Sequence, residues 1–203
     1  MKRAVLSTFI SVAITIILLM FQRASAEAYR HSETGIVFPD RVAILEKRAE
    51  VTSYEAKHPG LGISVGYDAS GMTVTVYVYK MGMKSIPTNL NSLVLKNQFK
   101  QAASDIVSLG ELGYYSNVKK ISDGEVSWGA AGADKRSLHA FYSYSQKGQD
   151  RLSHLYLMGF RNHFFKVRFT YDKEVEKPAE KVQKKFLKEF SRILGSLGKV
   201  TNK

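Results

Sequence analysis

The stretch from residue 60 to residue 80 alternates apolar and polar side chains in two runs, with a turn between them. The apolar members are Leu61, Ile63, Val65, Tyr67, Met72, Val74, Val76 and Val78. A period of two is typical of strands with one buried face, and the segment Asp68-Ala69-Ser70-Gly71 favours a turn. A four-residue loop there would pair Tyr67 with Met72. The pattern therefore predicts an antiparallel hairpin that buries all eight apolar side chains on one face.

The rest of the chain switches between strand-like and helix-like spacing. Strands are predicted over 36–38 and 42–51, and a small hairpin over 118–128 turns at Ser122-Asp123-Gly124. Apolar residues three and four apart predict a helix over 88–109 and a second one that Pro178 opens. Three long strands are predicted over 136–146, 151–161 and 163–172. The order is strands, helix, strands, helix.

The long strands carry apolar residues on both faces. Phe165, Val167, Phe169 and Tyr171 lie on one side, and Leu155 and Leu157 lie on the other. A sheet with two apolar faces needs cover on both sides. The sequence therefore predicts an α+β fold in which a mainly antiparallel sheet is packed between helices, an α/β/α sandwich.

The N-terminal segment has the order of a secretory signal peptide. Lys2 and Arg3 precede an apolar run from Ala4 to Phe21, and Ala24-Ser25-Ala26 follows as a small-residue triplet. This order predicts a signal peptide over 1–26, cleavage after Ala26, and a periplasmic or secreted protein. The alternative is a retained inner-membrane anchor, since an apolar run of 18 residues is long enough to span a bilayer. Beyond it we expect a mobile segment over 27–35, one domain over 36–198 and a tail over 199–203.

The charge balance limits the partners. The net charge is +12, and removal of residues 1–26 takes away Lys2, Arg3 and Arg23 and no acid, which leaves +9. Because export makes nucleic acid an unexpected partner, we expect an envelope protein or an anionic lipid or cell-wall polymer. The chain has no cysteine, which excludes a disulfide scaffold, a thiol nucleophile and a cysteine-ligated zinc site.

The last helix carries a basic face. Lys181, Lys184, Lys185 and Lys188 are linked by spacings of three and four, so their charges add on one side. They are the candidate residues for binding an anionic surface, with an ordinary solvated face as the alternative. The apolar stripe of the same helix, with Phe186 and Phe190 at its centre, is predicted to pack on the sheet.

The other chemical patterns favour structural roles. The predicted pairing of the long strands separates His139 from His154 by about 13 Å, which is too far for one metal ion, so we expect no metal site. Gly60, Gly62 and Gly66 lie in a hairpin and do not lead into a helix, so we expect no nucleotide and no other cofactor. Close packing of a helix or loop over Gly62 and Gly66 is the simpler explanation of those glycines.

Acidic residues offer little support for an enzyme. Asp123, Glu125 and Asp134 lie near Trp128, a pattern that would suit sugar hydrolysis. Turn formation explains Asp123-Gly124 equally well, and there is no G-x-S-x-G motif. We therefore predict no catalytic residue.

One family resemblance follows from the element order and from the final stretch, "HFFKVRFTYDKEVEKPAEKVQKKFLKEFSRIL", which runs from strand into helix. An exported chain with an N-terminal hairpin, a central helix, an antiparallel meander and a closing amphipathic helix resembles the PsbP-like group of extrinsic lumenal or periplasmic proteins. The resemblance implies the architecture and assigns no functional residue.

Together these features predict an exported, non-catalytic envelope protein that binds a protein partner or an anionic surface component. Two alternatives stay open at this point. One is a small-ligand binder with a pocket lined by Tyr77, Tyr79, Tyr114, Tyr115 and Trp128. The other is a hydrolase of cell-wall or lipid material. The oligomeric state is also open.

Overall fold

The computed structural model describes residues 27–129 and 134–197. The predicted signal peptide 1–26 and the tail 199–203 lie outside these residues. The described part contains ten strands: β1 Tyr29–Arg30, β2 Val37–Phe38, β3 Arg41–Val42, β4 Leu45–Ser53, β5 Ile63–Ala69, β6 Met72–Tyr79, β7 Ser116–Ser127, β8 Arg136–Gln146, β9 Gln149–Phe160 and β10 His163–Asp172. Helix α1 spans Leu93–Glu111, and α2 spans Glu176–Leu197 after a short 3₁₀ turn at Lys173–Val175.

Eight of these strands form one antiparallel sheet in the order β3-β4-β5-β6-β10-β9-β8-β7, while β1 and β2 pair separately. The chain leaves β6, crosses one face of the sheet as α1, and enters β7 at the far edge. Strands β8, β9 and β10 then step back until β10 pairs with β6. The fold is α+β, as predicted.

The core on one face lies between the sheet and α2. Phe186 and Phe190 are both 0% exposed, and the Phe186 ring contacts that of Tyr67 at 5.7 Å between centroids. Phe165, Val167, Phe169 and Tyr171 lie in the same cluster, as their alternation predicted. The helix begins at Glu176, two residues before Pro178, whose missing N–H is harmless in the first turn.

The opposite face is covered by α1, which packs mainly over β7, β8 and β9. Leu95 packs with Leu157 of β9, and Ile106 packs with Leu155 of the same strand. The helix begins later than predicted because Ser92 caps it: its Oγ accepts the N–H of Leu95 at 3.3 Å. Helices on both faces confirm the α/β/α arrangement. Gln98 of α1 reaches Tyr79 at the end of β6, and α1 leaves the β4–β5 side of this face open.

Both predicted four-residue turns are tighter than expected. Ala69 pairs with Met72 and Gln146 pairs with Gln149, so each turn has two central residues. Gly71, Lys147 and Gly148 adopt the positive φ angles that such turns require. The cross-strand partners shift by two residues, so each side chain keeps its face but meets a different neighbour.

Two other segments also differ from the prediction. Residues 118–128 do not form a hairpin: β7 is one strand that pairs along β8, with register shifts near Lys119 and Ile121 that accommodate the turn-like sequence. The segment 27–35, expected to be mobile, is folded from Tyr29 onward. His31 and Thr34 are buried there, with Thr34 Oγ1 2.8 Å from His31 Nδ1.

Candidate functional site

The outer face of α2 carries four exposed lysines on a fully docked helix. Lys181, Lys184, Lys185 and Lys188 are all exposed, whereas the apolar stripe opposite them is buried against the sheet. None of the four forms an ion pair within residues 27–129 and 134–197. Glu189 is already engaged by Arg192 at 3.3 Å. The sequence predicted this exposed basic face.

A second candidate site is a pocket on the open side of α1, which we call the Lys166 pocket. Its volume is about 420 Å³, and it is lined by Tyr54, Leu61, Tyr77, Tyr79, Met81, Gln98, Gln101, Asp105 and Lys166. The Lys166 ammonium lies 4.2 Å from the ring centroid of Tyr77 and 5.5 Å from that of Tyr79. Burial lowers the pKa of Lys166, because the charged form loses solvation there.

The walls of this pocket are held by hydrogen bonds. Gln98 Nε2 donates to the Tyr79 hydroxyl at 3.1 Å, and the Tyr54 and Ser64 hydroxyls lie 3.1 Å apart. The Glu55 carboxylate accepts the N–H groups of Gly60 and Gly62 and so ties down the loop that carries Leu61. The pocket is therefore formed before any ligand enters.

Gly62 and Gly66 are closely packed, as predicted, but against a strand and a side chain and not against a helix or loop. At Gly62, with φ +60°, a Cβ would collide with the carbonyl oxygen of Val78. Over Gly66 lies the side chain of Arg48, which is held by Asp68 at 2.6 Å. At Gly62 any larger residue would block the close approach of the Val78 backbone, whereas at Gly66 a larger residue would displace the Arg48 side chain.

Of the five aromatic residues predicted to line one pocket, the structure brings two together, Tyr77 and Tyr79. Tyr114 is 65% exposed, and Tyr115 stacks on Tyr144 at 4.1 Å. Trp128 lies on the other face of the sheet, where its Nε1 donates to Ser137 at 3.0 Å. Sequence reasoning missed Lys166 because β10 pairs with β6 across a long stretch of chain, and no local signal marks that pairing.

The predicted separation of His139 and His154 is wrong. The tight turn after β8 moves Phe141 opposite His154, and His139 Nε2 lies 2.9 Å from His154 Nδ1. Burial, and secondly the neighbouring His139, lower the pKa of His154 to about 3. His163 is elsewhere, beside His31 and Glu33. Within the described residues, no three His, Cys, Asp or Glu side chains come together in a way that would hold a metal ion.

The three acidic residues near Trp128 each bind a different group. Asp123 pairs with Lys120, and Glu125 pairs with Arg136 at 2.9 Å. Asp134 accepts hydrogen bonds from Ser127 Oγ at 2.8 Å and from the Gly129 N–H. Glu125 and Asp134 border a polar cavity of about 360 Å³. Since these carboxylates are occupied by partners of their own, the geometry does not favour an acid–base pair.

No family model matches the chain, and no curated protein matches it in sequence. Among solved structures, the chain is similar to cyanobacterial PsbP (CyanoP) from Synechocystis sp. PCC 6803, with a TM-score of 0.50 and 10% identity over 82% of this chain and 91% of that one. It is also similar to PA94, a protein of unknown function from Pseudomonas aeruginosa, with a TM-score of 0.39 and 11% identity over 79% of this chain and 92% of that one. The likeness to CyanoP is one of fold, and it confirms the resemblance to PsbP in architecture.

Neither helix of the described part has the combination of length and hydropathy that crossing a bilayer requires.

Proposed function

We propose that the chain is an exported, non-catalytic envelope protein that binds the anionic surface of a membrane through the outer face of α2. The observation that supports it best is the division of this helix into two faces. Phe186 and Phe190 are committed to the core, whereas Lys181, Lys184, Lys185 and Lys188 are exposed and have no acidic partner within the described residues. The lysines are therefore free to contact lipid phosphates.

Export rests on the N-terminal segment. The basic start, the apolar run and the Ala24-Ser25-Ala26 triplet have the order that signal peptidase recognises. The PsbP-like fold supports this assignment, and a net charge of +9 after cleavage suits an anionic surface. In this proposal the protein works in the periplasm or after secretion.

The attraction in this proposal is electrostatic and leaves the helix docked. Each lysine near an anionic bilayer contributes about 1 kcal/mol, so the four together contribute up to about 4 kcal/mol. The interaction falls off over about 8 Å at physiological ionic strength. Insertion of the apolar stripe is not part of it, because that stripe already fills the core of the sheet.

Vesicle co-sedimentation tests the proposal. The chain from Glu27 onward should pellet with vesicles that contain phosphatidylglycerol and stay in solution with pure phosphatidylcholine, and binding should weaken as salt is raised. Lys→Gln changes at the four lysines of α2 should reduce the affinity about tenfold or more. The matched control changes four exposed lysines elsewhere, Lys57, Lys84, Lys96 and Lys119, to Gln.

The control has the same net charge as the α2 variant but keeps the four lysines of α2. It should therefore keep most of the binding to the vesicles. Equal losses in the two variants would mean that total charge matters and the α2 face does not. If the parent does not bind vesicles at low salt, the membrane proposal is contradicted. The α2 lysines would then either bind an acidic protein partner or form an ordinary solvated surface.

A further inference from the structure

We propose that the Lys166 pocket binds a small organic anion, an aromatic carboxylate with its charged group on Lys166 and its ring against the tyrosines. The pocket lies on the face of the sheet that α1 partly covers, whereas the basic face of α2 lies beyond the opposite side. The proposal does not rest on the membrane function.

The first argument concerns the ammonium group of Lys166. It stands beside the faces of two tyrosine rings in the pocket and, among the described residues, makes no hydrogen bond and no ion pair. Lys166 is half-buried, and a cation that has lost part of its solvation gains from a hydrogen-bond acceptor. The ring faces of Tyr77 and Tyr79 stabilise the charge in part but accept no strong hydrogen bond. An oxygen anion in the pocket would supply the missing acceptor.

The second argument concerns a second positive charge close to Lys166 on β10. Arg168 lies two residues along β10, on the same face as Lys166. Its guanidinium donates to the Ser153 hydroxyl at 3.2 Å and lies 5.5 Å from the Tyr115 ring, and it has no carboxylate partner among the described residues. Two neighbouring cations on one strand therefore favour an anion at this point of the sheet.

The third argument concerns the rim of the pocket, whose apolar side chains favour a ligand with an apolar part. Leu61 and Met81 line the pocket while 38% and 46% exposed, so a ligand that enters would cover apolar surface now in contact with water. Tyr54, Tyr77 and Tyr79 supply ring faces and edges on which a second aromatic ring can stack. A volume of about 420 Å³ lies in the ordinary range for small-molecule sites.

Asp105 should weaken anion binding in this pocket, so its replacement provides a test in which the affinity increases. Asp105 lines the pocket and is held by Gln101 Nε2 at 2.9 Å. Its negative charge acts on Lys166 from across the pocket. Removal of this charge should therefore improve anion binding, which is a result that damage to the fold does not produce.

Calorimetric titration of the chain from Glu27 onward with 2-naphthoate tests the site, with neutral 2-naphthamide as the matched ligand. We expect the parent to prefer the anion. Lys166→Met should lower naphthoate affinity about tenfold to a hundredfold, the effect of one hydrogen bond to a charged group, and leave naphthamide binding nearly unchanged. Asp105→Asn should tighten naphthoate binding about two- to fivefold. Lys119→Met, at an exposed position outside the pocket lining, is the control and should change the affinity for neither ligand.

Three results would overturn the proposal. They are no binding of naphthoate by the parent, equal affinity for the amide and the carboxylate, and a Lys166→Met variant that binds naphthoate as tightly as the parent does. Circular dichroism of each variant establishes that it is folded. Since the vesicle experiment uses a different surface, failure here leaves the membrane proposal standing, and the reverse also holds.

Discussion

His139 Nε2 lies 2.9 Å from His154 Nδ1, in a row of stacked rings on the α2 face of the sheet. Phe141 stacks on His154 at 4.1 Å between centroids, and the His154 Nε2 lies 3.3 Å from the Tyr171 hydroxyl. At this distance one imidazole donates and the other accepts. Two protonated rings would leave two donors facing each other, so the folded protein favours a neutral pair.

This pair predicts a loss of stability in acid. The pKa of His154 is about 3 in the folded state and about 6.5 in an unfolded chain. Between these values the unfolded chain binds the proton and the folded chain does not. The free energy of unfolding should therefore fall as the pH drops from about 6.5 to about 3, by up to about 1.4 kcal/mol per pH unit for this proton. Burial lowers the pKa of His139 as well, which adds in the same direction.

Urea unfolding across that pH range measures the effect. His154→Phe should show a shallower decline than the parent, and the remaining slope includes His31, whose pKa burial also lowers. His58→Gln, at an exposed position, is the control and should follow the parent. If His154→Phe declines as steeply as the parent does, the pair is not kept neutral by the fold.

The docking of α2 predicts a large cost for truncating its aromatic side chains. Phe186 and Phe190 are 0% exposed and contact each other at 4.7 Å between ring centroids. Phe→Ala at either position should lower the free energy of unfolding by about 3–5 kcal/mol in urea. Leu93→Ala, at a site 76% exposed, should change it by less than about 0.5 kcal/mol. A cost below about 1 kcal/mol at Phe186 would contradict the docked helix.

A comparison of Gly62 and Gly82, which have similar backbone angles, separates the cost of backbone strain from the cost of a steric collision. Gly62 has φ +60° and Gly82 has φ +69°, but a Cβ would collide with Val78 at the first and meet nothing within 4 Å at the second. Gly82→Ala should cost about 1–2 kcal/mol, the penalty of the left-handed conformation. Gly62→Ala should cost clearly more and also perturb the Lys166 pocket, whose rim carries Leu61. If Gly62→Ala and Gly82→Ala lower the free energy of unfolding equally in thermal or urea unfolding, the backbone at Val78 moves aside at little cost.

Processing after Ala26 is the prediction on which the localisation depends. N-terminal sequencing of the protein from an envelope fraction should give Glu27 as the first residue, or Tyr29 if the second small-residue site, Ala26-Glu27-Ala28, is used. Replacement of Ala24 and Ala26 by Leu should block the first cleavage. Met1 retained in a membrane pellet of the parent would support the anchor instead.

The sequence predicted the face of the sheet on which each strand residue lies. It did not predict which residues pair across neighbouring strands. A period of two assigns Val65 and Phe169 to the buried face whatever the turn length. The turns at 70–71 and 147–148 are two residues shorter than their composition suggested, because Asp68 and Asp150 pair in strands as well as they form turns. That shift alone moves His139 from an expected 13 Å or so to hydrogen-bond distance of His154.

The two candidate sites also differ in how far the sequence could predict them. Lys181 and Lys188 belong to one helix, and the helical repeat places them without any knowledge of the fold. Lys166 and Tyr77 belong to β10 and β6, which meet after the chain has crossed the sheet as α1 and returned through three strands. No periodicity within either strand specifies that partner, so the pocket became apparent in three dimensions alone.

The orientation of the protein on a membrane tests the central claim most directly. Since the chain has no cysteine, Ser196→Cys on α2 and Ser104→Cys on α1 each give one labelling position, both exposed and on opposite sides of the sheet. Energy transfer from a donor at each site to acceptor-labelled headgroups is measured on phosphatidylglycerol vesicles. The account predicts stronger transfer from position 196 than from position 104, and loss of that difference at high salt. Equal transfer from the two positions, or stronger transfer from position 104, would contradict it.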